Sequence, residues 1–286
     1  MPALFFVSTG RTGTTLLAEV FAASGARSMH EPAPRWLRLV ANAHAAGAVS
    51  TTRATTIVRG QRSAAVSASA IPYVEANSLI GGLVRPLLDA FPDSIVVQVV
   101  RDPRTYVRSA LDWGQYRFAG RALNLVPYRR LAAPHFRPRS IRARLDWALR
   151  DQFERLCWTW TAQNLAMRSQ GEGHDRFRTI RFEELVDRTL GPTILAGLHA
   201  SIGLPDPAAG ALVAEVERPR NQSGRRSGGG HAKHGGGDRV VEARLDRLIE
   251  VCGSEAANYG YDLARRAAGA EARRYGAPRA RGVATC

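Results

Sequence analysis

The chain opens with an unbroken apolar run, Ala3 to Val7, that passes directly into Ser8-Thr9-Gly10-Arg11-Thr12-Gly13-Thr14-Thr15. A run without polar alternation is the pattern of a strand buried on both faces. From Thr14 to Ala23 the apolar residues Leu16, Leu17, Val20 and Phe21 recur at helical spacing, and Gly25 ends the pattern. A buried strand that turns through two glycines into a helix N-terminus constrains the rest of the chain, because both faces of such a strand need covering layers. Gly10 and Gly13 let the backbone bend and approach a ligand with no Cβ in the way. The free N–H groups and dipole of the helix favour an anion. Thr12, Thr14 and Thr15 add hydroxyls, and Arg11 adds a forked cation suited to phosphate or sulfonate oxygens. The segment predicts an α/β enzyme that handles a phosphorylated nucleotide.

Further along, Leu83 to Ala90 predicts a short helix and Ile95 to Val100 a second buried strand. Asp102-Pro103 is an N-cap followed by proline at the first helical position, opening a helix to about Trp113. Leu145 to Met167 predicts a long amphipathic helix, Arg178 to Phe182 a third strand, and Gly191 to Ile202 and Val240 to Val251 two more helices. Residues 41–70 give no clear periodicity. Residues 115–143 are basic, aromatic and proline-containing, and suit an acceptor cap. Residues 221–237 form a glycine-rich loop and 267–286 a basic tail. The alternation predicts a P-loop-like α/β fold, a parallel sheet flanked by helices on both faces, in a single domain over residues 1–266.

The first loop departs from the Walker A pattern, since Gly13 is followed by Thr14 where that motif has lysine. Arg101 also stands where a Walker B acid would end the second strand. These departures suit a terminal phosphate held without a metal and disfavour a magnesium-dependent NTPase. Val99-Val100-Arg101-Asp102-Pro103-Arg104, with Ser109 two turns on, supplies a second anion site at the carboxyl end of a strand.

Together these segments resemble the sulfotransferases that use 3′-phosphoadenosine 5′-phosphosulfate, and are closest in motif to bacterial and tyrosylprotein-type members. The resemblance implies that Arg11, Thr12, Gly13, Thr14 and Thr15 hold the 5′-phosphosulfate, and that Arg101 and Ser109 hold the 3′-phosphate. It implies the phosphosulfate as donor, its 3′,5′-bisphosphate as product, and no metal. It extends to Asn77–Val100, to the Thr179–Leu185 strand-to-helix step, and to Cys252–Asp262 with Tyr259 and Tyr261. The proline common in the family's first loop is absent here. So is a C-terminal Arg-Lys-Gly element, for which Arg225 or Arg226 is a substitute.

Sulfuryl transfer to a hydroxyl needs a base. Glu31, in Met29-His30-Glu31-Pro32, lies 20 residues beyond Arg11, where the chain should return to the sheet's carboxyl edge. The resemblance places a catalytic Glu at similar spacing, and Arg11 would stabilise charge on the leaving phosphate. His30 and Glu75 are the alternatives. The expected partner is a hydroxyl-bearing small molecule, lipid or carbohydrate.

The 286 residues carry 40 Lys plus Arg against 25 Asp plus Glu, a formal charge of +15, and Lys233 is the single lysine. That charge fits a solvated arginine-rich surface, an anionic ligand or nucleic acid, and does not choose among them. Cys157, Cys252 and Cys286 are too scattered for a disulfide framework or zinc site, which suggests a reducing cytoplasm. No signal peptide or membrane span is expected. His231 and His234 lack companion ligands nearby, and a lid is the alternative role for their loop. A P-loop kinase or NTPase, and a basic nucleic-acid-binding module, are the competing functional classes.

Overall fold

The computed structural model describes residues 2–68, 70–115, 149–205 and 236–264. Among these residues five strands form one sheet: β1 (Ala3–Ser8), β2 (Arg27–His30), β3 (Tyr73–Asn77), β4 (Ile95–Val100) and β5 (Phe177–Arg181). The order is β2-β3-β1-β4-β5 and every pairing is parallel. The helices are α1 (Thr14–Ala23), α2 (Leu37–Ala45), α3 (Thr51–Ser67), α4 (Val84–Ala90), α5 (Pro103–Trp113), α6 (Gln152–Gly171), α7 (Phe182–Leu185), α8 (Leu190–Ser201), α9 (Gly236–Ala243) and α10 (Leu245–Ala257). A 3-10 turn, Ser78–Leu83, joins β3 to α4. No helix among the described residues is long and apolar enough to cross a membrane.

The central strand sorts its side chains by the two-residue period of a strand. Ala3, Phe5 and Val7 pack with α2, α3 and α4 on one face. Leu4 and Phe6 pack with α1 and α8 on the other. A third apolar cluster, built on Val100, Tyr106, Trp160 and Cys252, joins α5, α6 and α10 beside β4. The sheet therefore has helices on both faces, as expected.

From β1 the chain travels out to β2 and back to β3, then crosses to β4 on the opposite side. The direction of winding reverses at β1. Its carboxyl end is the position where open α/β sheets leave a crevice for ligands.

Several boundaries differ from the sequence expectation. Residues 41–70 hold most of α2 and α3. The buried positions of α3 are Ala54, Val58, Arg62 and Val66, a narrow stripe in which one member is an arginine, so its periodicity is faint. The two unexpected strands are β2, which is short and largely exposed at the sheet edge, and β3, whose buried sequence Tyr-Val-Glu-Ala-Asn includes a charge. The long helix begins at Gln152 because Asp151 caps it, accepting from the Glu154 N–H at 2.9 Å. Phe182 starts α7 and does not end β5. Val240 to Val251 is split between α9 and α10. Of the expected cap, glycine-rich loop and tail, residues 116–143, 221–235 and 267–286 lie outside the described residues, as do Arg225, Arg226, His231 and His234.

Candidate active site

Four parallel strands end at one edge and each delivers a candidate residue there. β1 leads into the Gly10–Gly13 bend, β2 into Glu31, β3 into Ser78, and β4 into Arg101. The bend is built from left-handed backbone, with φ of 80° at Gly10, 58° at Arg11 and 75° at Gly13. A Cβ on Gly13 would stand 2.8 Å from the Phe182 ring, so both conformation and space require glycine there.

The two predicted anion motifs meet. Arg101 Nη1 donates to the Arg11 carbonyl at 2.6 Å and Nε donates to Thr105 Oγ1 at 3.0 Å. Arg11 Nε donates to Ser109 Oγ at 3.1 Å. Arg11 lies over the Trp113 ring at 4.8 Å and Arg101 over Phe182 at 4.7 Å. Among the described residues neither guanidinium has a carboxylate within ion-pair distance. Burial pulls the pKa of both below the ordinary arginine value, for Arg101 against the opposing attraction of Glu183 and Asp102. Thr12 is 0% exposed and its hydroxyl has no hydrogen-bond partner among the described residues. A buried donor left unmade costs free energy unless a ligand completes it. Cationic groups and an unsatisfied hydroxyl at a helix N-terminus fit a phosphate-bearing ligand.

The acid side is equally close. Ser78 Oγ donates to Glu31 Oε1 at 2.5 Å, and Ser78 lies 3.7 Å from where a Gly10 Cβ would stand. The Glu31 N–H donates to Ala76 O at 3.1 Å. His30 Nε2 is 3.1 Å from Thr14 Oγ1 and 3.5 Å from Thr15 Oγ1, so the alternative base is engaged with the loop's hydroxyls. Glu75, the other alternative, is completely buried, and both its oxygens accept: Arg62 at 2.7 and 3.0 Å, Tyr73 at 2.8 Å and Asn77 at 2.8 Å. It has no capacity left for a substrate proton.

Behind Arg101 the support is specific. The Arg101 carbonyl accepts from Trp160 Nε1 at 2.8 Å. Asp102 caps α5, accepting from the Arg104 N–H at 2.8 Å, as its sequence predicts. The Asp102 N–H donates to Glu183 Oε1 at 3.0 Å, and Tyr261 donates to Glu183 Oε2 at 2.6 Å. The Thr179–Leu185 step and the closing segment thus tie down the strand end that carries Arg101. Of the tryptophans, Trp160 is core and Trp158 is exposed with Arg150 stacked on it at 4.8 Å. Ser78, Trp113 and Phe182 had no individual sequence signal, because only the crossing of distant elements brings them to the site.

No family model matches the chain, and no curated protein matches it in sequence. Among solved structures, a sulfotransferase domain from the curacin biosynthetic pathway is similar at TM-score 0.54 and 15% identity, over 92% of this chain and 99% of that one. A sulfotransferase from Alicyclobacillus acidocaldarius gives TM-score 0.47 and 15% identity, over 93% of this chain and 99% of that one. The first likeness shows that the chain has the sulfotransferase fold.

Proposed function

We propose that the chain is a sulfotransferase that moves a sulfuryl group from 3′-phosphoadenosine 5′-phosphosulfate to a hydroxyl of a small-molecule, lipid or carbohydrate acceptor. One observation carries this reading. Two phosphate motifs 90 residues apart in sequence close into a single cationic rim through the Arg101–Arg11 hydrogen bond.

In this reading Thr12 to Thr15 and the N-terminus of α1 grip the 5′ side, and Arg101 and Ser109 grip the 3′-phosphate. Glu31 takes the proton of the acceptor hydroxyl as its oxygen forms the new bond to sulfur. The bond from sulfur to the bridging 5′-phosphate oxygen breaks, and its electron pair stays on that oxygen. Arg11 meets the charge growing there, so positioning and electrostatics do most of the catalysis. Glu31 Oε1 already accepts from Ser78, which leaves Oε2 for the proton.

The test is a thermal-shift comparison of the adenosine 3′,5′-bisphosphate product, AMP, magnesium-ATP and an oligonucleotide. At about 100 times its Kd the bisphosphate should stabilise by roughly 2.7 kcal/mol, about 5–10 °C for a chain of this size. Arg101→Ala should weaken the bisphosphate by about 1.5–3 kcal/mol and bring it level with AMP. Preference for magnesium-ATP would indicate a kinase-like enzyme instead. Steeply salt-dependent oligonucleotide binding would indicate a nucleic-acid module.

A further inference from the structure

Glu31 stands at a φ of 44°, a region that side-chain-bearing residues avoid. Such a conformation persists only where neighbouring contacts over-determine it. Two of those contacts are local, the Ala76 and Ser78 bonds already described. The rest come from α3, a helix on the far side of the intervening loop. Arg62 Nη1 donates to the Ala33 carbonyl at 3.0 Å and Nη2 to the Pro32 carbonyl at 3.4 Å, pinning the Pro32–Ala33 and Ala33–Pro34 peptide units just beyond Glu31.

Arg62 is itself held. Its Nε and Nη2 pair with both oxygens of Glu75, and Tyr73 and Asn77 complete that carboxylate. Asn77 Oδ1 in turn accepts from the Leu79 N–H at 2.9 Å, starting the 3-10 turn that carries Ser78. The network therefore reaches Glu31 from both sides, through its following carbonyls and through its hydroxyl donor. Arg62 is 2% and Glu75 0% exposed. A buried ion pair generally contributes little more stability than apolar residues of the same volume would. Its distinct capacity is geometric, because a guanidinium fork fixes several acceptors in one plane.

We propose that Arg62, clamped by Glu75, is a positioning residue that holds Glu31 in its working orientation, an inference that rests on Glu31 being the base. Arg62→Lys keeps the charge facing Glu75 but replaces the fork with a single point. Tyr73→Phe removes one donor to Glu75 and keeps the ring packing. Three measurements on the full chain decide it: hydrogen exchange of the Glu31 amide, which donates to Ala76 O, calorimetric affinity for the bisphosphate, and sulfate release from labelled donor with water as acceptor.

Exchange of the Glu31 amide should quicken in both variants while α1 is unchanged. Arg62→Lys should slow sulfate release about 10–100-fold, the scale of a small misplacement of a reacting group. Its bisphosphate affinity should stay within about two-fold of wild type, and it should add nothing to Glu31→Gln in the double variant, since both would act through one group. Unchanged exchange of the Glu31 amide overturns the proposal whatever the rates. So do effects of Arg62→Lys and Glu31→Gln that multiply, or a slow Glu31→Gln beside an Arg62→Lys of normal rate. Normal turnover by Glu31→Gln would instead end the reading of Glu31 as base, and this inference with it.

Discussion

Gly13→Ala separates the conformational demand of the phosphate bend from its packing demand. At φ 75° an L-residue costs roughly 1–2 kcal/mol over glycine. The new methyl would also lie 2.8 Å from Phe182 Cε2, and forcing an extra carbon into a filled site costs roughly 1–3 kcal/mol. Phe182 is not free to yield, because the Arg101 guanidinium rests on its ring at 4.7 Å. The sum is about 2–5 kcal/mol, and whatever part Phe182 gives up should disturb Arg101. Gly25, at the other end of α1, is the control: its φ is 84° and nothing lies within 4 Å of its would-be Cβ. Gly25→Ala should therefore cost about 1–2 kcal/mol and leave bisphosphate affinity unchanged. At about 2–4 °C per kcal/mol, the packing part alone should lower the Tm of Gly13→Ala roughly 2–12 °C further than that of Gly25→Ala. Thermal denaturation and calorimetric titration with the bisphosphate measure both effects. Equal Tm losses with equal affinities would refute the claim that the bend, Phe182 and Arg101 form one packed unit.

Thr12→Val should leave stability unchanged or slightly raised, because the buried hydroxyl it deletes makes no hydrogen bond among the described residues, while bisphosphate affinity falls by about 0.5–1.5 kcal/mol. A loss of stability with unaltered affinity would show that the hydroxyl serves the fold. For acid stability, the side-chain hydrogen bond from Arg181 holds the Glu184 carboxyl below its ordinary value of 4.5. A depressed carboxylate contributes above its unfolded-state value and loses that contribution as pH falls through the folded one. The stability gap between wild type and Glu184→Gln, measured by denaturant titration, should be full near neutrality and shrink below pH 4.5. A gap that widens on acidification would reverse the assignment.

The elements legible in the sequence are those whose signal is local. The ends of α1 follow from a glycine bend and Gly25, and α5 from Asp102-Pro103, and each begins and stops where those residues imply. The strand of β4 is apolar but for Gln98, and a run so nearly free of polar residues must be buried. What escaped was set by partners distant in sequence. Glu75 and Asn77 make β3 look like surface until Arg62 is placed beside them, and Arg62 makes the buried stripe of α3 look polar for the same reason. One ion pair thus hid two elements at once. At the site, Arg101 and Arg11 could be chosen from their motifs, but their contact depends on sheet order, which reverses at β1. Ser78 and Trp113 had nothing to mark them, since a serine after a strand and an aromatic at a helix end are ordinary features of α/β chains.

Among the described residues only Arg11 and Glu31 are non-glycines with positive φ. Both belong to the segments whose sequence suggested chemistry, Arg11 within the bend and Glu31 just beyond β2. Glycine at either position would relieve the backbone, so the folded state does not need these side chains there. The same edge holds two half-buried guanidiniums with no carboxylate at ion-pair distance among the described residues, and a buried hydroxyl with no hydrogen-bond partner among them. Each of these features opposes folding, and they meet where β1, β2 and β4 end. An anionic ligand would answer the cations and the hydroxyl, and a substrate proton would give Glu31 its use. Concentrated strain of this kind is what a preformed site for charge transfer requires, because groups already in place need not reorganise when the charge develops.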